Sequence, residues 1–265
     1  MTTFRDFYNG LRKLEIPPSH PVIAHASLSA FGEVHGGAET VLGALLGAFH
    51  TLVMPSFTYK TMLIPETGPQ HNACTYGSGK DTNRMAEFFR TNMSVDRLIG
   101  VIAETLRTRA GAQRSSHPIL SFTGINARDV LRAQTMEDPL APSGALYEAG
   151  GWVLLLGVDH TVNTSIHYAE RAAGRKQFIR WALSPAGVIE CPGFPGCSEG
   201  FKVVSTRMDQ FTRTAQVGPG VIQAFPLKDL VDTVCQWIEE DPLALLCEQQ
   251  DCERCGAVRE AVAVR

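Results

Sequence analysis

No stretch of this chain supplies the ~20 consecutive apolar residues that cross a bilayer; its apolar stretches, such as Trp152–Val158, are strand-sized. The start, Met1-Thr2-Thr3-Phe4-Arg5-Asp6, lacks an apolar signal core, so a cytoplasmic protein is expected. Lys and Arg form no dense run, and the formal net charge is only −3. That balance gives no general drive toward nucleic acid or anionic membranes, and neither is expected as a partner. Internal repeats, low-complexity tracts and Gly/Ser linkers are absent as well. With 44% hydrophobic residues over 265 positions, the composition excludes disorder and allows one substantial core. A single domain over 1–265 is expected. The one G-x-S-x-G string, Gly196-Cys197-Ser198-Glu199-Gly200, sits in a Pro/Gly-rich turn among the cysteines and not on a buried apolar strand, which lowers a thioester or amide hydrolase to the alternative reading.

What the chain has is alternation. Phe4, Phe7, Tyr8, Leu11 and Leu14 recur at helical spacing and stop at Pro17-Pro18. Pro21–Ala24 and Thr51–Pro55 read as strands around a helix at Ala38–Phe49. Ile119–Gly124 and the run from Trp152 read as further strands, with helices at Arg84–Phe89, Ile99–Arg107, Ala127–Arg132, Ala145–Ala149 and His167–Ala173. Strands alternating with helices predict an α/β sheet covered by helices. From Phe178 the texture changes. A hairpin is expected at Phe178–Leu183 and Gly187–Cys191, helical structure at Glu199–Phe211, a strand at Val217–Ala224, a helix at Leu227–Glu239 and a last helical segment at Asp241–Leu246. The segment from Ser56 to Lys80 is long and aperiodic; following a strand end, it reads as a cover over a site.

The densest chemistry lies in Gly157-Val158-Asp159-His160-Thr161-Val162-Asn163-Thr164-Ser165-Ile166-His167-Tyr168-Ala169-Glu170. A strand ending in Gly and passing into polar groups at a helix start is where α/β proteins place reacting groups. Three other blocks align with it: His25-Ala26-Ser27-Leu28-Ser29-Ala30-Phe31-Gly32, Thr51-Leu52-Val53-Met54-Pro55-Ser56, and Arg114-Ser115-Ser116-His117-Pro118.

Together, in this order and at about this spacing from residue 21 to 173, the four blocks resemble the aminoglycoside 3-N-acetyltransferase family. The resemblance implies a three-layer α/β/α sandwich of that family's own type, with a Cys-rich C-terminal portion here. Residues 1–175 would form the coenzyme-binding core and 176–265 the acceptor side. It implies transfer of an acetyl group from acetyl-coenzyme A to an amine, an aminoglycoside antibiotic or another small acceptor, by a monomer or homodimer. By the same resemblance His167 is the catalytic histidine. Ser27, Leu28 and Ser29, with His25, border the pantetheine and the reacting centre, and Arg114, Ser115 and His117 border the coenzyme.

The residue types suit that chemistry in their own right. An amine attacking a thioester must shed a proton, and histidine is the natural base. Its second nitrogen needs an acceptor, for which Glu170 and the distant Glu199 are candidates. The oxyanion needs preset donors, and Thr164, Asn163 or backbone N–H groups at Ser27–Ser29 could serve. Each has a plainer reading. His25 and His117 could be buried structural histidines, His160, Ser27 and Ser29 turn-formers, and Glu170 a partner of Arg171 or Arg175. After the Met54-Pro55 strand the loop Phe57–Glu66 carries one Lys and a single acid.

Of seven cysteines, six follow residue 190. Cys191-x5-Cys197 and Cys252-x2-Cys255 form two spaced pairs, and the first sits on a turn with Pro192, Gly193, Pro195 and Gly196. A closed, noncatalytic four-thiolate zinc site is expected from these, with Cys247 as a spare ligand and unrelated reduced thiols as the alternative. A zinc-stabilised binding module without turnover would leave the Gly157–Glu170 polar cluster unexplained.

Overall fold

The computed structural model describes residues 1–263. In chain order the elements are α1 (Phe4–Lys13), β1 (Val22–Ala26), α2 (Gly37–Ala48), β2 (Leu52–Pro55), β3 (Met62–Leu63), α3 (Val101–Thr108), β4 (Gln113–Arg114), β5 (Phe122–Ile125), α4 (Arg128–Arg132), α5 (Ala141–Glu148), β6 (Trp152–Leu156), α6 (Thr164–Ala172), β7 (Phe178–Ser184), β8 (Gly187–Phe194), α7 (Ser205–Met208), β9 (Arg213–Val217), β10 (Gly220–Pro226), α8 (Leu227–Glu240) and α9 (Glu253–Ala263).

Seven strands form a mixed sheet in the order β4-β5-β2-β1-β6-β10-β9. β1 is its axis, parallel to β2 on one side and to β6 on the other, with His25 level with Leu155. β5 and β10 run antiparallel to the strands they flank. The two-residue period of these strands builds two cores. Val22, Ala24, Leu52, Leu154 and Leu156 pack against Phe7, Leu42, Leu45 and Leu106 of α1, α2 and α3. Ile23, Val53, Val153 and Leu155 face Leu131, Leu146, Ile166 and Leu230 of α4, α5, α6 and α8. That is the expected α/β/α sandwich. Chain connections leave β1 in opposite directions toward β2 and β6, so the carboxyl ends of β1 and β6 mark the topological switch point, where such sheets bind ligands.

Local signals explain the ends of several elements. Thr3 and Asp6 cap α1 reciprocally: the Thr3 hydroxyl accepts from the Asp6 N–H, and the Asp6 carboxylate accepts from the Thr3 N–H at 2.9 Å. Asn163 caps α6 by accepting from the Ser165 N–H at 3.2 Å. Gly157 lies at φ +67°, and a Cβ there would collide with Ala30 and the Phe31 ring. Only glycine lets the chain after β6 turn so close to the segment after β1.

A second sheet, β3-β7-β8, covers the carboxyl ends of the first. Its β7–β8 hairpin is the predicted one, extended to Phe194. β3 comes from the aperiodic Ser56–Lys80 segment and pairs with β7 through Met62–Ala182. Other expectations need correction. Arg84–Phe89 is no helix; after a 3-10 turn at Thr82–Met85 it extends, and the Phe89 N–H donates to the Leu183 carbonyl at 2.9 Å. Val217–Ala224 is two strands, broken by a turn at Gly218 with φ +55°. Glu199–Phe211 holds short 3-10 turns around α7. Asp241–Leu246 makes turns only, and the last helix is the unforeseen α9. No helix among the described residues is long and apolar enough to cross a membrane.

Candidate active site

A cleft of roughly 1060 Å³ opens at the carboxyl ends of β1, β2 and β6. Its floor is the turn after β1 (Ser27, Leu28, Ser29) and the segment from Val158 to His167; its roof includes Phe57, Tyr59 and Met62 from the segment read as a cover. Arg180, Phe194 and Gly196 from the second sheet and its exit, together with Arg254 of α9, close the far wall.

His167 lies on the first turns of α6 and faces this cleft. Its Nδ1 is 2.8 Å from Glu170 Oε2, and its ring packs against Phe201 at 4.7 Å. The other oxygen of Glu170 accepts from Arg175 Nη1 at 2.8 Å. Arg175 Nη2 in turn donates to the carbonyls of Pro242 and Ala244. Glu170 is 2% exposed and Arg175 8%. Three residues on one helix and its exit therefore form a buried relay, imidazole to carboxylate to guanidinium. A carboxylate accepting at Nδ1 fixes the proton there and leaves Nε2 with its lone pair. Glu170 thus fills the two roles that the sequence left as alternatives, orienting His167 and pairing with Arg175. Glu199 is exposed and is not that partner.

His25 also lines the cleft but differs in environment. Burial, and secondarily the nearby His160, push its pKa down to about 3, and its Nε2 has no hydrogen-bond partner. Burial likewise lowers His160 to about 4; its ring stacks on Phe225 at 5.2 Å. Both imidazoles are neutral at pH 7, and a base of that strength is mismatched to neutral-pH proton transfer. Thr164 and Asn163 line the cleft at the start of α6. Asn163 Oδ1 accepts from the Ser165 N–H and its Nδ2 lies 3.4 Å from His160 Nδ1, whereas the Thr164 hydroxyl makes no hydrogen bond among the described residues. Ser27 and Ser29 pair with each other, Oγ to Oγ at 3.0 Å, and neither is bonded to His167. Among the described residues no serine hydroxyl is hydrogen-bonded to His167, Ser198 of the cleft lining included.

The third motif is placed elsewhere. Arg114, Ser115 and His117 do not line this cleft. Arg114 spends its guanidinium on the carbonyls of Ser56, Thr91 and Met93 and on Ser121 Oγ, and burial lowers its pKa to about 10. Ser115 Oγ accepts from the Phe122 N–H at 2.8 Å. His117 Nδ1 accepts from the N–H groups of Ile119 and Leu120, and burial lowers its pKa to about 4. These contacts brace β5 against the exit of β2. Arg114 and Ser115 instead line a separate pocket of roughly 780 Å³, together with Arg107, Arg128 and Arg132.

The cysteines converge, with one exchange. The thiols of Cys197, Cys247, Cys252 and Cys255 all lie within 4.8 Å of one another. Cys191 is not among them; it is buried inside β8, in the core shared with Phe178 and Phe194. Strand alternation turns Cys191 into that core, and Cys247, the spare, supplies the fourth thiol. Its own backbone N–H donates to Cys255 Sγ at 3.4 Å. Sequence reasoning missed Arg180 and Arg254. The signal for Arg254 was its position inside Cys252-x2-Cys255, which ties it to the knuckle.

A family model described as "Aminoglycoside 3-N-acetyltransferase" matches residues 23–239. An aminoglycoside N(3)-acetyltransferase III of Salmonella sp is 26% identical, over 91% of this chain and 92% of that protein. The SPbeta prophage-derived aminoglycoside N(3')-acetyltransferase-like protein YokD of Bacillus subtilis is 32% identical over 60% of this chain and 61% of its own. The YokD crystal structure superposes with a TM-score of 0.77 at 26% identity, covering 90% of this chain and 100% of that one. The apoenzyme of the aminoglycoside acetyltransferase AAC(3)-IVa superposes at 0.79 and 24% identity, covering 97% of each.

Proposed function

Since the chain belongs to the aminoglycoside 3-N-acetyltransferase family and is an acyltransferase, we propose that it moves the acetyl group of acetyl-coenzyme A onto an amine, with His167 as the general base. The observation that carries this reading is the 2.8 Å contact of His167 Nδ1 with Glu170 at the wall of a cleft large enough for a pantetheine arm. A structure of the same fold, AAC-IIIb, is a binary complex with CoASH, and aminoglycosides are the acceptors in the family's name.

In this reading the amine nitrogen attacks the thioester carbonyl carbon. His167 Nε2 takes the proton released as the C–N bond forms, and Glu170 stabilises the imidazolium through Nδ1–H. The carbonyl oxygen becomes an oxyanion, for which the unengaged Thr164 hydroxyl at the start of α6 is a suited donor. Collapse of the tetrahedral intermediate breaks the C–S bond, and the proton on His167 returns to the departing coenzyme A thiolate. Atoms and charge balance without a further reactant. Ser27, Leu28 and Ser29 lie beside this centre as the pantetheine rest.

The reading includes a structural zinc held by Cys197, Cys247, Cys252 and Cys255. Ligands about 2.3 Å from a tetrahedral zinc stand ~3.8 Å apart, compatible with the observed spread of thiols. Arg259, whose guanidinium donates to the carbonyl of Cys247, would offset part of the charge of a four-thiolate centre. Zinc here would fix the cleft's far wall and take no part in the transfer.

The test is coenzyme A thiol release from acetyl-coenzyme A with and without amine acceptors, read together with calorimetry on coenzyme A. Release that requires an acceptor and yields an acetylated amine is expected. Equal release without any acceptor would instead identify a thioesterase.

A further inference from the structure

The charged lining of the cleft is of one sign. Among the described residues, Arg97, Arg180 and Arg254 line it, and no Asp or Glu does. Glu170 sits behind His167 with both oxygens engaged. A polycation entering this cleft would meet three guanidiniums and no counter-charge.

Arg180 is the most telling of the three. It is only 8% exposed. Its Nη1 donates to the carbonyls of Asn72 and Ile179, and its Nη2 to that of Ala73 at 2.9 Å. The guanidinium carbon lies 5.5 Å from the centre of the Phe178 ring and 5.1 Å from that of Phe194. Neutral carbonyls and ring faces hold it rigidly, yet no carboxylate among the described residues lies within ion-pair distance. Arg175, equally buried, has Glu170 at 2.8 Å. A buried charge without an opposite partner is costly, and it persists where a ligand supplies the missing charge. Arg254 reaches the same cleft from the cysteine knuckle. It uses Nη1 on the Gly196 carbonyl at 2.8 Å and makes no ion pair. A planar guanidinium so presented matches a carboxylate or phosphate.

We propose that the acceptor amine also carries an anionic group, a carboxylate or a phosphate, bound by Arg180 and Arg254 while the amine faces His167. The proposal rests on the acetyl-transfer reading and narrows its acceptor. The anion is assigned to the acceptor rather than to the coenzyme because both arginines come from the second sheet and the cysteine knuckle. The Ser27–Ser29 turn, beside which the pantetheine is placed, follows β1 of the first sheet.

The experiment compares acetylation of matched amines by the full-length protein: β-alanine against β-alaninamide, O-phosphoethanolamine against ethanolamine, and gentamicin. Coenzyme A affinity is measured by calorimetry on the same samples. Wild type is expected to favour an anionic member over its uncharged counterpart in kcat/KM by on the order of 10- to 100-fold, the worth of one or two charge-assisted hydrogen bonds. Arg254→Gln should remove most of that preference through KM, leaving coenzyme A affinity unchanged. Arg254→Glu should shift preference toward gentamicin. Preference for gentamicin by wild type, equal or absent turnover of the pair members, or a loss of coenzyme A affinity in Arg254→Gln overturns the inference. Failure of wild type to bind coenzyme A at all would instead strike the acetyl-transfer reading on which the proposal stands.

Discussion

The two sides of the cleft are built on different terms. The side formed by β1, β6 and α6 is assembled from strand ends and one helix start, and its polar groups are mutually committed: His167 to Glu170, Glu170 to Arg175, Ser27 to Ser29. The side formed by β7, β8 and the cysteine knuckle holds cations with no acidic partner, Arg180 and Arg254. Committed groups keep one geometry and suit a step that is the same for every acceptor. Uncommitted charges suit recognition, since a ligand completes them. The difference suggests that the chemistry resides on the first side and acceptor choice on the second.

Breaking the committed side should cost most. Glu170→Ala leaves Arg175 buried without its partner, and removing one member of a buried pair costs about 3–5 kcal/mol. Chemical denaturation should register that loss, and it should exceed the loss from Glu170→Gln, which keeps an acceptor oxygen for one of the two neighbours. The knuckle comes next. Cys247→Ser should reduce bound zinc, read by elemental analysis, and lower Tm by on the order of 10 °C, since at this size each kcal/mol is worth ~2–4 °C. Cys191→Ser should leave metal content unchanged, because that thiol is packed in the β8 core.

A smaller effect comes from the buried histidines. His25, His117 and His160 have native pKa values of about 3, 4 and 4 against an ordinary 6.5. Below 6.5 the unfolded chain binds more protons than the native one, so stability is full above that pH. It falls as pH drops toward 4 by up to ~1.4 kcal/mol per pH unit for each histidine. Tm measured from pH 7.5 to pH 5 should decline accordingly, and His117→Asn should flatten the decline. Least affected should be Ser29→Ala, which deletes one exposed hydroxyl pairing. A change of about 0.5–1.5 kcal/mol is expected, visible as a modest rise in KM for acetyl-coenzyme A.

The first side was largely legible in the sequence and the second was not, for physical reasons. Strand ends and helix starts write themselves locally: the Trp152–Leu156 run, Gly157 at positive φ and the Asn163 cap are all neighbours of His167. The His167–Glu170 contact needs only one helical turn. The second side is made by long-range closure. Arg180 meets Asn72 across 108 positions, and the roles of Cys191 and Cys247 are exchanged by strand alternation that loose spacing could not reveal. The Arg114–His117 block shows a converse hazard. Its motif was plain, but packing sets its place: its hydrogen bonds brace β5, and Arg114 and Ser115 edge a separate pocket. The helix α9 went unseen because its apolar residues are small, mostly Ala and Val, and form no one-sided stripe.

The central claim is that Nε2 of residue 167 accepts the amine's proton. It is tested most directly by acetyl transfer in His167→Ala, with coenzyme A binding measured in parallel. The account predicts a fall in kcat of ~10²–10⁴-fold with coenzyme A affinity retained. Full transfer by that variant, with the coenzyme bound as in wild type, would contradict it.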